Sequence, residues 1–226
     1  MPGDALFDGF ADQRVFMGVP HAADVLSNLA FVAVAVLGLW RLGGTVIPLA
    51  RVVRVGLLVF FAGNFLAGIG SAYYHWDPND QTLVGDRVGM TIAFAGMRGV
   101  LYAERISHRA GMAILVLMLL VGPARVFYWQ ASGDVSLYGV VQFGAIATVL
   151  VILLLTGKGR DPFSWCALLS WYLSAKIAET ADVAICLATG ETFRPPCHAV
   201  PEHTLVDVAL GLVRSCRSAP TGLGTA

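Results

Sequence analysis

The chain has 226 residues, of which 57% are hydrophobic and 13% are charged, about half the charged share of an ordinary soluble domain. This composition predicts a protein built for lipid surroundings. The formal net charge is zero and no basic run is present, which argues against a nucleic-acid partner. The first fifteen residues carry Asp4, Asp8 and Asp12 and lack the basic start and apolar core of a signal peptide, so none is expected.

Apolar runs follow a short polar segment at residues 1–20. Six of them are near the ~20 residues that a helix needs to cross the hydrocarbon core. They occupy residues 24–42, 54–75, 84–104, 110–130, 136–156 and 163–189. A seventh run at 203–213 is too short to cross as a straight helix unless residues from 197 onward join it. The sequence therefore predicts one all-α domain over residues 1–226, a bundle of seven transmembrane helices with a short or irregular last helix and a polar tail at 215–226.

Basic residues lie in alternate loops and predict the orientation of the bundle. They follow the first, third, fifth and seventh runs as Arg41, Arg51 and Arg54, then Arg105 and Arg109, then Lys158 and Arg160, then Arg214 and Arg217. The opposite loops hold Asp77, Asp80, Asp134 and Glu191, with Arg125 and Arg194 as exceptions. By the positive-inside rule the N-terminus is expected outside and the C-terminus inside.

Polar residues end the second run and open the third. Ser71 and His75 are four apart, so on a helix they share a face one turn apart. Asp86 follows the turn-forming residues 77–80, and the third helix is expected to start near it. A helical hairpin would then bring Ser71, His75 and Asp86 together. In so apolar a chain this indicates chemistry or binding; the alternative is a polar cluster that caps and anchors a hairpin at the membrane surface.

Two more histidines, His198 and His203, precede or open the seventh run. The expected topology places them at the same outer interface as Ser71, His75 and Asp86. Three histidines with an open fourth position are the ligand set of a catalytic zinc. Taken singly, each is more simply an interfacial histidine bonded to backbone, but the convergence of all three favours a metal site.

With these residues the chain resembles the alkaline ceramidase family, within the wider group of seven-helix membrane hydrolases that includes the adiponectin receptors. That family has Ser-x3-His at the end of the second helix, an aspartate opening the third, and His-x3-His on the seventh. Gly70-Ser71-Ala72-Tyr73-Tyr74-His75 and Asp86-Arg87 match this pattern, with the family's spacing. Asp12-Gln13-Arg14 and Asp24-Val25-Leu26-Ser27-Asn28-Leu29 look like the N-terminal segment of bacterial members. The resemblance covers residues 8 to about 190.

The resemblance fails at the end of the chain, where bacterial relatives carry Gly-His-Thr-Leu-Lys-His and a full last helix. Residues 197–207 here read Cys-His-Ala-Val-Pro-Glu-His-Thr-Leu-Val-Asp. Either His198 and His203 form the pair across Pro201, or His203 is kept and Asp207 replaces the second histidine. A third alternative is a defective or shifted C-terminus, in which the zinc site is impaired. We favour His198 over Asp207, because histidine is the commoner ligand in this family's sites.

The resemblance also implies roles. His75, His198 and His203 would bind Zn²⁺, Asp86 would act as general base and then acid, and Ser71 would bond the attacking water or the oxyanion. The implied substrate is a ceramide-like N-acyl amide from the membrane, hydrolysed to a fatty acid and a sphingoid-type amine. The implied location is a bacterial inner membrane, with the site near the periplasmic interface. Beside Asp86, Arg87 would either orient that carboxylate or anchor at the headgroups.

Eukaryotic ceramidases bind calcium through an acidic N-terminal segment. Here the candidate Ca²⁺ ligands are Asp8, Asp12 and Asp24, and His21 stands where the family has a glutamate. The simpler expectation is a solvated acidic tail.

Other polar residues within the apolar runs have structural interpretations. Lys176, Glu179 and Asp182 fall near one stripe of the sixth run, where a Lys176–Glu179 pair that locks helices is favoured over a proton path. Buried polar contacts between helices are expected of Asn64 and Arg98. The four cysteines, Cys166, Cys186, Cys197 and Cys216, lack metal-site spacing, and a Cys186–Cys197 disulfide stays open.

The leading hypothesis is therefore a zinc-dependent membrane amidase. Its rivals are a non-catalytic seven-helix lipid-binding or receptor-like protein with a degraded metal site, and a proton or ion transporter that uses the charged stripe of the sixth run.

Overall fold

A computed structural model describes residues 15–44, 49–134 and 136–156, together with Trp165, Leu169, Ser170, Leu173 and Ser174. Five helices form this part of the protein: α1 (Ala22–Gly44), α2 (Arg51–Trp76), α3 (Asp80–Arg105), α4 (His108–Ser132) and α5 (Ser136–Thr156). The predicted all-helical architecture and the first five predicted runs are confirmed there. The predicted seventh helix, most of the sixth and both chain termini lie outside the described residues.

Three of these helices are long and apolar enough to span a membrane: residues Asp24–Gly44 of α1, all of α2 and all of α4. This agrees with the predicted membrane protein. By contrast, α3 has 26 residues but carries six charged ones. It packs against α2, α4 and α5, whereas α1 packs against α2. Because α3 is the most enclosed of the five, its polar side chains away from the ends, Arg87, Thr91 and Arg98, are buried, whereas Asp80 and Glu104 near the ends are exposed.

Small residues bring the backbones of α2 and α3 into direct contact. The contacts join Gly70 to Gly85 and Asp86, Ala67 to Gly89, Gly63 to Ala93, Phe60 to Gly96, and Gly56 to Val100. Each step forward along α2 is matched by an equal step back along α3, so the helices are antiparallel and share one register. We call these contacts the α2–α3 seam. Small residues are the usual means by which membrane helices approach this closely.

The loop between α2 and α3 is three residues long, and α3 begins earlier than predicted. Its N-cap is Asn79, whose side chain accepts hydrogen bonds from the backbone amides of Gln81 and Thr82, both at 3.0 Å. The hydroxyl oxygen of Thr82 accepts in return a hydrogen bond from the backbone N–H of Asn79 at 3.2 Å, which completes a capping box. The helix therefore starts at Asp80, and the expectation of a start near Asp86 was wrong. Asp86 lies in the second turn of α3.

Two apolar clusters fill the interior. The larger one surrounds Leu57, Phe61, Val100 and Leu101, near the start of α2 and the end of α3. A smaller one lies at the opposite end of α2 and α3, where α4 ends. It comprises Tyr74, Leu83, Val126 and Trp129. The polar residues predicted to form the site thus lie next to the smaller cluster.

Candidate functional site

Predicted site residues gather where α2 ends and α3 begins. We call this region the polar end of the bundle. Its members come from three helices and are Asp24, Asn28, Ser71, His75, Thr82, Asp86 and Arg87. Five of these seven side chains are buried, and Ser71 and Asp86 are half-buried. Buried polar and charged groups need partners within the protein, so this end of the bundle is a polar interior and not a solvated surface.

The last turn of α2 directs His75 into the protein. Its side chain is only 7% exposed and its Nδ1 atom is fully buried. The imidazole lies against the ring of Tyr74, with centroids 5.5 Å apart. The neighbouring Tyr73 and Trp76 point the other way and are exposed. An imidazole held inside the bundle on an ordered helix is suited to binding a ligand or a metal, and it also fits a structural role.

Ser71 and Asp86 lie at the same level of the α2–α3 hairpin. A methyl group built on Gly70 would lie 2.6 Å from the amide nitrogen of Asp86, so Ser71, the next residue on α2, is adjacent in register to Asp86. His75 lies one helical turn closer to the loop. The structure therefore brings Ser71, His75 and Asp86 to one end of the hairpin, as the spacing predicted. Their chemical roles stay predictions.

Arg87 is directed toward α4. Its side chain is 5% exposed, and its guanidinium carbon lies 4.6 Å from the centroid of the Trp129 ring, which is within the range of a cation–π interaction. Such burial disagrees with the expectation that Arg87 anchors at lipid headgroups. The alternative role, orienting Asp86, stays a prediction.

The other expected zinc ligands, His198 and His203, and the alternative ligand Asp207 lie outside the described residues. Within the described ranges, no three histidine, cysteine, aspartate or glutamate side chains come close enough to hold a metal ion. The described residues thus supply one of the three predicted zinc ligands. Imidazole is one of the ligand types that zinc uses in proteins, so the described part of the site fits the metal with one donor.

Asp24 differs from what the sequence suggested. It lies in the first turn of α1 and is 3% exposed, so the expectation of a solvated acidic residue was wrong at this position. Its backbone carbonyl accepts hydrogen bonds from the side chains of Ser27, at 2.8 Å, and Asn28, at 2.7 Å. The other calcium candidates, Asp8 and Asp12, lie outside the described residues.

The two polar residues expected to join helices behave differently. Arg98 donates a hydrogen bond from Nη1 to the sulfur of Met118 at 2.7 Å, which links α3 to α4 as expected. The side-chain amide of Asn64 donates to the carbonyl of Phe60, one turn back in its own helix, at 2.8 Å. The charged stripe at Lys176, Glu179 and Asp182 and all four cysteines lie outside the described residues.

Comparison with protein-family models, with curated proteins and with solved structures finds no match for this chain. The fold and the membrane-length helices define a helical protein with a buried polar site at one end of a helix hairpin. Any more specific function must be argued from that site.

Proposed function

We propose that this protein is a zinc-dependent membrane amidase that hydrolyses the N-acyl amide bond of ceramide-like lipids. The observation that carries the proposal is the contact of Gly70 with the backbone of Asp86. This contact supports the proposal because it brings the backbone of Ser71 next to that of Asp86 at one level of the hairpin, one turn from the buried imidazole of His75. The resemblance to alkaline ceramidases gives this arrangement its substrate class.

His75, together with His198 and His203, would hold the zinc ion. When bound, zinc supplies a Lewis acid that brings the pKa of a coordinated water near 7. His75 is the ligand that the described helices position directly, because it is enclosed beside Tyr74 at the end of α2.

Asp86 and Ser71 would carry out proton transfer and charge stabilisation. Asp86 takes the proton of the attacking water as the new carbon–oxygen bond forms, and gives it to the amine as the carbon–nitrogen bond breaks. Ser71 donates a hydrogen bond to the oxygen that gains negative charge. Because the α2–α3 seam holds the two backbones in contact, these groups are positioned before the substrate binds.

The surface near the polar end supports access from a membrane. Tyr73 and Trp76 on α2 and Tyr128 on α4 are exposed there, and tyrosine and tryptophan are enriched where membrane meets water.

In a seven-helix bundle with the N-terminus outside, this end would lie at the periplasmic interface of a bacterial inner membrane. A C-terminal reporter that fluoresces only in the cytoplasm should then fluoresce, and an N-terminal one should stay dark.

The deciding experiment measures zinc content and ceramide hydrolysis of the purified protein in detergent. We expect one zinc per chain and loss of hydrolysis when a chelator removes it. A protein that holds no zinc and releases no fatty acid would contradict the proposal and favour the non-catalytic lipid-binding alternative.

The same measurement separates the ligand sets. Zinc should be lost in His203→Ala and in His198→Ala, and retained in Asp207→Asn. Loss in Asp207→Asn with retention in His198→Ala would identify His75, His203 and Asp207 as the ligands instead.

A further inference from the structure

Asp24 is a buried carboxylate to which the proposed mechanism gives no role. A charged side chain inside a membrane protein is costly unless a partner compensates it, and it commonly marks a functional site. At 3% exposure, Asp24 is, with Thr91, the least exposed of the buried polar and charged residues in the described part of the chain. The register of α1 against α2 indicates which residue of α2 lies opposite Asp24, and so which role Asp24 has.

Contacts between α1 and α2 follow a regular spacing. Gly38 of α1 lies against the ring of Phe61 on α2. A methyl group built on Gly68 of α2 would lie 3.0 Å from the Cβ of Phe31 on α1. Phe61 and Gly68 are seven residues apart, and so are Gly38 and Phe31. The two helices are therefore antiparallel and meet at a heptad interval.

The same interval, extended by one step, relates Asp24 to His75. His75 is seven residues beyond Gly68, and Asp24 is seven residues before Phe31. A heptad returns a helix to nearly the same face, with a drift of about 20°. One further step along both helices brings Asp24 of α1 to the level of His75 of α2.

Burial on both helices agrees with this placement. Asp24 and His75 are buried, whereas Leu26 and Leu29 on α1 and Tyr73 on α2 are exposed. Among the five described helices, α1 packs against α2 alone. The burial of Asp24 and His75 thus agrees with a packing of the first turns of α1 against the end of α2.

We infer that Asp24 is a positioning residue that orients the imidazole of His75. Metal-binding histidines commonly donate their second ring N–H to a carboxylate, which fixes the ring tautomer and raises its basicity as a ligand. The role at a zinc ion rests on the proposed function, whereas the pairing of Asp24 with His75 does not. Asp24 then belongs to the zinc site and not to an N-terminal calcium site.

The test uses Asp24→Asn, which keeps the size of the side chain and removes its charge. Zinc affinity is measured by chelator competition, and the ring nitrogen signals of His75 are measured by NMR in metal-free protein. Asp24→Asn should weaken zinc binding about 10- to 100-fold and shift the His75 ring signals. Asp80→Asn, an exposed acid at the same end of the bundle, is the matched control and should change neither quantity.

If Asp24→Asn does not fold, Asp24→Glu retains the carboxylate and should preserve the His75 signals of the wild type. Unchanged His75 signals in Asp24→Asn would overturn the inference, whatever happens to zinc affinity. A wild-type protein without zinc, in which Asp24→Asn still shifts those signals, would overturn the amidase proposal and keep the pairing of Asp24 with His75.

Discussion

The two ends of the α2–α3 hairpin are held by the same kind of backbone contact but are filled with different side chains. At one end, Gly56 against Val100 and Phe60 against Gly96 lie among Leu57, Phe61 and Leu101. At the other, Gly70 against Asp86 lies among Ser71, His75 and Arg87. The apolar end shows that the seam packs well without polar residues. The seam itself therefore does not account for Ser71, His75 and Asp86 at the other end, which is the reason to assign these three a function.

The largest expected difference between the two ends is that between His75→Ala, which should lose zinc, and Leu57→Ala, which should lose stability. His75→Ala should lose zinc and essentially all hydrolysis while the protein still folds, because it removes one of the three proposed metal ligands. Leu57 is fully buried, so Leu57→Ala should cost about 2–5 kcal/mol of unfolding free energy and leave zinc content unchanged. Zinc content, hydrolysis and the midpoint of unfolding in denaturing detergent measure both effects. Wild-type zinc occupancy in His75→Ala would remove the functional distinction between the two ends.

A smaller effect is expected from Ser71→Ala. Without the hydroxyl, the developing oxyanion loses one donor, which corresponds to a loss of about 10²-fold in kcat. Zinc content should stay at the wild-type level, because Ser71 is not among the proposed ligands. Single-turnover hydrolysis with zinc-loaded protein measures the change, and an unchanged rate would show that Ser71 does not contact the reacting group.

The seam itself is probed by Gly70→Ala at the polar end and by Gly63→Ala in the middle of the hairpin. At both positions the new methyl group would overlap backbone atoms of α3, so each should cost about 1–3 kcal/mol of stability. Gly70→Ala should also lower the hydrolysis rate, because it displaces Ser71 from Asp86. Gly43, which has open space around it, provides the control: Gly43→Ala should be neutral or up to about 1 kcal/mol stabilising. Equal rate losses in Gly63→Ala and Gly70→Ala would mean that the seam acts on the site as one unit.

The smallest effect is expected from Arg87→Lys. Lysine keeps the charge but loses the planar group that stacks on Trp129, so the cost should lie near the cation–π range of about 0.5–2 kcal/mol. Comparing Arg87→Lys in the wild type with the same change in Trp129→Leu isolates this pair. A large drop in hydrolysis with unchanged stability would instead assign Arg87 to the orientation of Asp86.

Much of the described fold could be predicted, because apolar runs of membrane length report helices directly. The start of α3 could not be placed from hydrophobicity, since Asp80, Gln81 and Thr82 are polar and the helix begins there through the capping box of Asn79 and Thr82. That signal was present in the sequence, as asparagine with threonine three residues later. A cap fixes where a helix begins, whereas apolar residues fix only which part of it is buried.

The convergence of Ser71, His75 and Asp86 was predictable because it depends on a local hairpin. The burial of Asp24 was not, because it depends on how α1 registers against α2, which no local pattern encodes. The regular glycines at 56, 63 and 70 were a readable sign of a close helix contact, but they do not tell which helix makes it. The position of the other two proposed ligands, His198 and His203, depends on contacts between distant parts of the chain, which local spacing does not encode.

The short loop between α2 and α3 has a consequence for how the protein enters the membrane. Alone, α3 inserts poorly into a membrane, since it carries six charged residues and one such residue costs up to about 2.5–3.5 kcal/mol when it lies at the centre of a spanning helix. Only three residues separate it from α2, which is apolar enough to insert by itself. We therefore expect the translocation machinery to release α2 and α3 as a preformed helical pair, with the glycine contacts made before α3 meets lipid.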